Sequence, residues 1–109
     1  MTMNECIKSL RMKIADAESP REMSEASQLL EYVYAVIGNR TEQFRNRLVS
    51  SYIAEKHNIE DQIAIGFNEH LKPDEYAAYQ AYRVECKARA DATMTALENQ
   101  LQALLASEL

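Results

Sequence analysis

Apolar residues recur at three- and four-residue steps through most of the chain, which is the spacing of one face of an α-helix. The first such segment runs from Thr2 to about Ala17, and Thr2 with Glu5 has the spacing of a helix-starting capping box. The helix is expected to end near Ser19, because Pro20 disfavours the helical conformation in the residue before it. Its predicted inward face consists of Met3, Cys6, Ile7, Leu10, Ile14 and Ala17.

A second helix is predicted from Pro20 to Ile37. Ser19 is its expected cap, Pro20 suits the first helical position and Glu22 completes a second capping box. Gly38 is expected to end it in the left-handed conformation that glycine adopts easily. The predicted inward seam consists of Met23, Ala26, Leu30, Val33 and Ile37, widened by Leu29 and Tyr34.

A third helix is predicted from Thr41 to about His57, and a short fourth helix from Ile59 to Leu71. Asn58 with Asp61 three residues later indicates a cap between them, although this break is weak enough that one kinked helix is the alternative. The third helix is expected to bury Phe44, Leu48, Val49 and Tyr52. The fourth is expected to bury Ile59, Ile63, Gly66, Phe67 and Leu71.

The last helix is predicted to be the longest, from Pro73 to about Ser107, because no helix breaker follows Pro73. At about 1.5 Å per residue it would reach about 50 Å, more than a small bundle easily covers. Part of its apolar seam is therefore expected either to pack within the bundle or to pair with a second copy in a symmetric homodimer. The seam residues are Ala90, Met94, Leu97, Leu101, Leu104 and Leu105.

Composition agrees with this helical pattern. The chain has 109 residues, of which 47% are apolar, and holds only two glycines and two prolines. That apolar fraction disfavours disorder, and so few turn residues disfavour a sandwich, a barrel or a phosphate-binding loop. We predict one domain over residues 1–109, all-α, built as a four- to five-helix bundle with a long C-terminal helix.

The cellular compartment is predicted from the length of the apolar stretches, from the charged residues that interrupt them and from the cysteines. No stretch approaches the roughly 20 apolar residues of a membrane span, and charged residues break the beginning of the chain where a secretory signal would lie. Cys6 and Cys86 are far apart and form no CxxC motif, which favours two reduced thiols over a disulfide. A cytoplasmic protein without a membrane segment is expected.

Charge is concentrated in one part of the chain. Residues 1–59 hold eight acidic and eight basic residues, whereas residues 60–109 hold nine acidic and four basic ones, so the whole net charge of −5 lies in the second half. The acids peak between residues 60 and 75, where only Lys72 opposes them: Glu60, Asp61, Glu69, Asp74 and Glu75. A solvated face is the plain interpretation, and a docking site for a basic protein is the sharper one.

Three tyrosines follow the acidic stretch at three-residue steps. Tyr76, Tyr79 and Tyr82 spread over about 120° of a helix, so at least one is expected to be partly exposed, and Arg83 comes next. Tyrosine and arginine are favoured anchors of protein interfaces, and packing within the bundle is the alternative. Tyr76, Tyr79 and Arg83 are therefore candidate partner-binding residues.

A smaller basic group offers a different function. Arg40, Arg45, Arg47 and Lys56 give the segment from Arg40 to Lys56 an excess of positive charge. One helix with this balance can touch nucleic acid, although the negative charge of the whole chain opposes tight binding to phosphates.

Metal binding and catalysis receive little support from the sequence. His57 and His70 are the only histidines, and the residues one turn before them are Ala54 and Phe67 rather than the glutamate of an Glu-x-x-His metal motif. No GxSxG elbow or Gly-rich phosphate loop occurs. We predict no cofactor, no metal and no enzymatic activity. The predicted function is a small cytosolic regulator, adaptor, chaperone or inhibitor that binds another protein and forms a homodimer; the alternative is a nucleic-acid-associated regulator.

Overall fold

The structure is a computed structural model that describes residues 1–107, and all of its regular elements are helices. This confirms the predicted all-α class with five helices and a long last one. No strand occurs among those residues. The helices are α1 (Met3–Ala15), α2 (Pro20–Ile37), α3 (Thr41–Ala54), α4 (Ile59–Phe67) and α5 (Pro73–Ala106).

The described chain divides into two compact units. The first unit comprises Met1–Phe44 together with α5 from Met94 onward, and the second comprises Arg45–Thr93. Because α3 and α5 each contribute residues to both, the units are not simply consecutive pieces of sequence.

The first unit is built on the packing of α1 against α2. The predicted face of α1 is confirmed, since Cys6 and Leu10 are fully buried. The Tyr32 ring meets the Phe44 ring edge-on, with centroids 5.6 Å apart, and its hydroxyl donates to the Glu98 carboxylate of α5. The remaining buried positions of this unit are Leu29, Val33, Ala35, Leu97 and Leu101.

The inward face of α2 agrees only in part with the predicted one. Leu29 and Val33 are buried as predicted, whereas Met23, Tyr34 and Ile37 are exposed; the buried residues that were not predicted are Tyr32 and Ala35. Burial of Tyr32, whose hydroxyl needs the partner that Glu98 supplies, turns the helix away from the predicted seam. Apolar periodicity alone did not distinguish the two faces.

The end of α2 corrects the prediction for Gly38. Gly38 has an ordinary φ of −83°, and the following Asn39 takes the left-handed conformation with φ 54°. The Asn39 N–H bonds to the Val36 carbonyl, and the Arg40 N–H bonds to the Ala35 carbonyl at 2.7 Å. This is the Schellman arrangement, in which asparagine can replace glycine because its short side chain tolerates the left-handed region.

The second unit has its own core, formed by α3, α4 and the first part of α5. The buried residues are Tyr52, Ile53, Ile65, Tyr79, Cys86 and Ala90. α3 ends at Ala54, three residues earlier than predicted, where the Glu55 and Lys56 N–H groups bond three residues back instead of four. Asn58 then caps α4 in an extended conformation, so α3 and α4 are separate helices rather than one kinked rod. α4 ends at Phe67 instead of Leu71, with Asn68 as its C-cap.

Candidate functional site

The fourth helix turns its large apolar side chains to solvent, which makes the predicted inward face of α4 wrong. Ile59 is 74% exposed, Ile63 53% and Phe67 83%, and Leu71 in the following turn is 82% exposed. Ile65 is the buried residue of this helix. At about 100° per residue Ile59, Ile63 and Phe67 follow one another at about 40° intervals, so they form a continuous stripe on the outer side.

Hydrogen bonds on the opposite side explain the orientation of α4. Gln62 lies on the side of Ile65, and its Oε1 accepts a hydrogen bond of 2.8 Å from the buried Tyr79 hydroxyl. The Gln62 Nε2 donates to the His57 carbonyl oxygen at 3.2 Å. Because a buried tyrosine hydroxyl requires a partner, the side that carries Gln62 faces α5 and the apolar stripe faces away.

Gly66 leaves the stripe open along its edge. A methyl group at this position would meet no atom within 4 Å, so no other part of residues 1–107 packs over it. The predicted inward role of Gly66 is therefore wrong as well. The stripe is bounded on this edge by open space rather than by a neighbouring helix.

Exposed acidic residues lie in the same segment of the chain as the stripe. All five acids predicted as a docking patch are exposed; Glu60 borders the stripe, about 20° around the helix from Phe67, whereas Asp61 lies about 120° from Phe67. Lys72 is within 3.8 Å of the Glu75 carboxylate, an exposed pair that neutralises little of the patch. We call the apolar stripe and these acids together the α4 surface: Ile59, Glu60, Asp61, Ile63, Phe67, Glu69, Leu71, Asp74 and Glu75.

Asp61 also has a structural role within the α4 surface. Its backbone N–H bonds to Asn58 Oδ1 at 2.8 Å, and its carboxylate accepts the Asn58 N–H at 3.3 Å. This reciprocal capping box fixes the start of α4, and Glu60 and Asp61 in the first turn suit the positive end of the helix dipole.

The tyrosines proposed as partner-binding residues are mainly used within the second unit. Tyr79 is buried and has little surface to offer a partner, while Tyr76 and Tyr82 are half-buried against the same core. The His57 ring packs edge-on against both Tyr79 and Tyr82, with centroids 5.2 and 5.7 Å away. The Tyr82 hydroxyl donates to the Tyr52 carbonyl at 2.7 Å, and burial raises its pKa.

Arg83 is braced by its neighbours on α5. Its guanidinium lies 5.9 Å from the centre of the Tyr79 ring and donates to Gln80 Oε1 at 3.4 Å. The side chain is half-buried, so part of it remains available at the surface.

Arginines elsewhere in the second unit are held by carboxylates. Arg89 stacks 3.8 Å from the Tyr52 ring centre and makes two hydrogen bonds with Glu55, of 2.6 and 3.2 Å. These bonds lower the pKa of the Glu55 carboxyl and raise that of Arg89. Arg45 pairs in the same two-bonded way with Asp91 and lowers its pKa. The nucleic-acid hypothesis requires the Arg45 guanidinium to bind phosphate, whereas here it binds the Asp91 carboxylate.

The α5 residues proposed as a dimer seam are placed largely in the cores of the chain itself. Ala90 is buried in the second unit, and Leu97 and Leu101 are buried in the first. The other three, Met94, Leu104 and Leu105, are half-buried. The argument that this seam needs a second chain therefore loses its basis, and the homodimer stays a prediction.

Among residues 1–107, no three His, Cys, Asp or Glu side chains are grouped closely enough to hold a metal ion. Within the same range, none of the helices combines the length and the hydropathy that a bilayer crossing requires. Compared with known family models, curated proteins and solved structures, the chain matches none of them.

The acids of the site were accessible to sequence reasoning, whereas the apolar stripe was missed. α4 carries apolar residues on both sides, Ile65 on one and Ile59, Ile63 and Phe67 on the other. Apolar spacing predicts that the larger set is buried, and the structure exposes it instead. The available signal was Gln62 next to Ile65, a polar residue able to satisfy a buried tyrosine, but its partner Tyr79 lies 17 residues away.

Proposed function

We propose that this protein is a non-enzymatic regulator or adaptor that binds a basic protein partner through the α4 surface. The observation that carries the proposal is the exposure of Ile59, Ile63, Phe67 and Leu71 on one short segment. Contiguous apolar side chains at the surface of a folded protein mark interaction sites, because leaving them in water is unfavourable. A partner that covers them gains that apolar burial.

Charge selects the kind of partner. The α4 surface contains five carboxylates, and only Lys72 lies among them in the sequence. Lysines or arginines around an apolar segment of the partner complement this pattern, which raises the association rate and favours basic partners over acidic ones. A second copy would place the same carboxylates against each other, so a different, basic protein suits the surface better.

The other proposed site residues have smaller parts in this function. Tyr76 and Arg83 retain some exposure and are proposed to contact the partner at its edge. Tyr79 acts indirectly, since its bond to Gln62 keeps the apolar stripe outward. Cys6 and Cys86 are buried and free, which suits a reducing compartment, and we propose a cytoplasmic location.

The test is affinity capture from the native cell with three forms of the full chain. One is unaltered, one carries Ile63→Ser with Phe67→Ser, and the control carries Ile37→Ser with Val84→Ser. The control removes two large side chains that are also exposed, at 53% and 64%, but lie outside the α4 surface. We expect a basic partner to be retained by the unaltered chain and the control, and lost from the α4 double variant.

Charge reversal provides a second readout on the purified pair. Glu60→Lys with Asp74→Lys is expected to weaken binding, and added salt to weaken binding of the unaltered chain. Equal capture by the α4 double variant and the control would overturn the proposal. Light scattering of the free chain checks the predicted homodimer, since a monomer has 12.5 kDa and a dimer twice that. DNA and RNA binding at low salt checks the nucleic-acid alternative.

A further inference from the structure

A second surface, separate from the α4 surface, is a groove of about 900 Å³ along α1 and the first half of α2, within the first unit. One wall follows α1 turn by turn, from Met1 and Glu5 to Ala17. The other wall follows α2 from Glu22 to Leu29. Because α1 has 13 residues, the groove is about 20 Å long at about 1.5 Å per residue.

The floor of the groove is apolar. Leu10 and Leu29 line it but are only 1% and 6% exposed, so the half-buried Ala17 and Ala26 supply apolar surface that a ligand can reach. Met12 also lines the groove and is 65% exposed. A flexible, polarisable methionine adapts to side chains of different shape, which suits a binding surface.

One polar atom in this groove lacks a partner. Oε1 of Glu5 accepts the Thr2 N–H in the capping box of α1. Oε2 of the same carboxylate is shielded from solvent and has no hydrogen-bond partner among the described residues. The negative charge of Glu5 is therefore only partly compensated within the chain, and a positive charge placed in the groove beside it would stabilise the carboxylate.

We propose that this groove binds an amphipathic α-helix of a partner protein, with its apolar face on Met12, Ala17 and Ala26 and a lysine or arginine pairing with the Glu5 carboxylate. Length and charge identify this occupant. A groove that follows about four helical turns matches the apolar face of a helix, whose anchors recur at the same three- and four-residue steps. The lining residues carry four carboxylates against two lysines and the N-terminal ammonium of Met1, and this net negative charge favours a basic helix.

A second copy of the chain fits the groove less well. Its exposed apolar helix, α4, carries Glu60 and Asp61 in its first turn, and the whole chain has a net charge of −5. Both features place negative charge against the carboxylates of the groove. The proposal does not depend on the function proposed for the α4 surface, because the two surfaces lie in different units and share no residue.

The experiment is an NMR titration of the isotope-labelled full chain with a synthetic helical peptide of about 18 residues, in which leucine and lysine alternate at helical spacing. The chain carries Ile63→Ser with Phe67→Ser, so that the α4 surface cannot capture the peptide. We expect the amide signals of α1 and of residues 22–29 to shift. A peptide with glutamate in place of lysine is expected to produce no such shifts.

Two matched variants test the role of Glu5. Glu5→Gln keeps a side chain that can complete the capping box and removes the charge, and we expect about tenfold weaker peptide binding. Glu31→Gln makes the same charge change on an exposed residue of α2 outside the groove and should leave the affinity unchanged. No shifts in α1 and α2, or equal affinities for the two variants, would overturn the proposal.

Discussion

The first and fourth helices begin with the same device but use their apolar faces in opposite ways. α1 starts at the Thr2–Glu5 capping box and buries Cys6 and Leu10. α4 starts at the Asn58–Asp61 capping box and leaves Ile59, Ile63 and Phe67 in solvent. A capping box and an apolar stripe therefore establish that a helix forms, whereas the neighbouring polar groups decide which side it turns inward.

The physical difference lies in what each helix meets on its inner side. α1 packs against a broad apolar face of α2, so its own stripe has an apolar partner. α4 meets α5 where the Tyr79 hydroxyl requires an acceptor, and Gln62 supplies it. With only nine residues, α4 satisfies that demand by burying Ile65 alone and exposing the larger stripe.

The largest effect that follows from this comparison concerns matched truncations in the two helices. Leu10→Ala removes a side chain that is 1% exposed, and it should lower the free energy of unfolding by about 2–5 kcal/mol. Phe67→Ala removes a larger side chain that is 83% exposed and should change it by less than about 0.5 kcal/mol. Chemical denaturation of both variants measures the contrast, and comparable losses would mean that the α4 stripe is buried.

A smaller loss of stability is expected for Tyr32→Phe. This variant tests whether the buried Tyr32 hydroxyl determines which face of α2 is buried, as the Tyr79 hydroxyl does for α4. Loss of the bond to Glu98 should cost about 1–2 kcal/mol at neutral pH. Tyr34→Phe is the control, because it removes a hydroxyl that accepts only an exposed hydrogen bond from Arg11, and an equal loss of stability there would contradict a special role for the buried bond.

The same bond should give stability a defined pH dependence. The hydrogen bond from the Tyr32 hydroxyl lowers the pKa of Glu98. The stability that this bond contributes is therefore fully present above the ordinary glutamate pKa of 4.5 and is lost as the pH falls below it. Burial and Glu98 raise the pKa of Tyr32 from 10.0 to about 12. The unfolded chain then ionises first, and stability falls as the pH rises between these values. In denaturation measured across pH, Tyr32→Phe should remove the alkaline dependence and reduce the acidic one, because the Gln102 hydrogen bond continues to lower the pKa of Glu98.

The smallest expected effect comes from the two caps. Thr2→Ala and Asn58→Ala each remove one side-chain bond to a free backbone N–H, and each should cost the helix about 1 kcal/mol. Because α1 is held by its buried face, Thr2→Ala should lower global stability. α4 buries one side chain, so Asn58→Ala should mainly increase hydrogen exchange of the α4 amides. Equal global losses would show that α4 is anchored as firmly as α1.

Particular residues show how far the sequence predicts this structure. The helix starts at Thr2, Ser19 and Asn58 are predictable, because capping depends on neighbours three residues away. The full capping box predicted for α2 was wrong, since the Glu22 carboxylate accepts the Glu18 N–H instead of the Ser19 N–H. The prediction that Gly38 adopts the left-handed conformation was wrong, because Asn39 also tolerates that region and adopts it instead. The five acids of the site are predictable from the local charge of the sequence. The outward stripe is not, because it depends on a hydrogen bond between Tyr79 and Gln62, which are 17 residues apart. The groove beside Glu5 is not predictable either, because it forms only where α1 and α2 pack together.

The central claim is that α4 presents its apolar stripe to solvent, and the most direct measurement is acrylamide quenching of the full chain carrying Phe67→Trp. The natural chain contains no tryptophan, so this variant has a single fluorophore on the stripe. We predict red-shifted emission and quenching as strong as that of the same chain in denaturant, at every protein concentration tested. Blue-shifted emission that resists the quencher would show the stripe to be covered and would contradict the account.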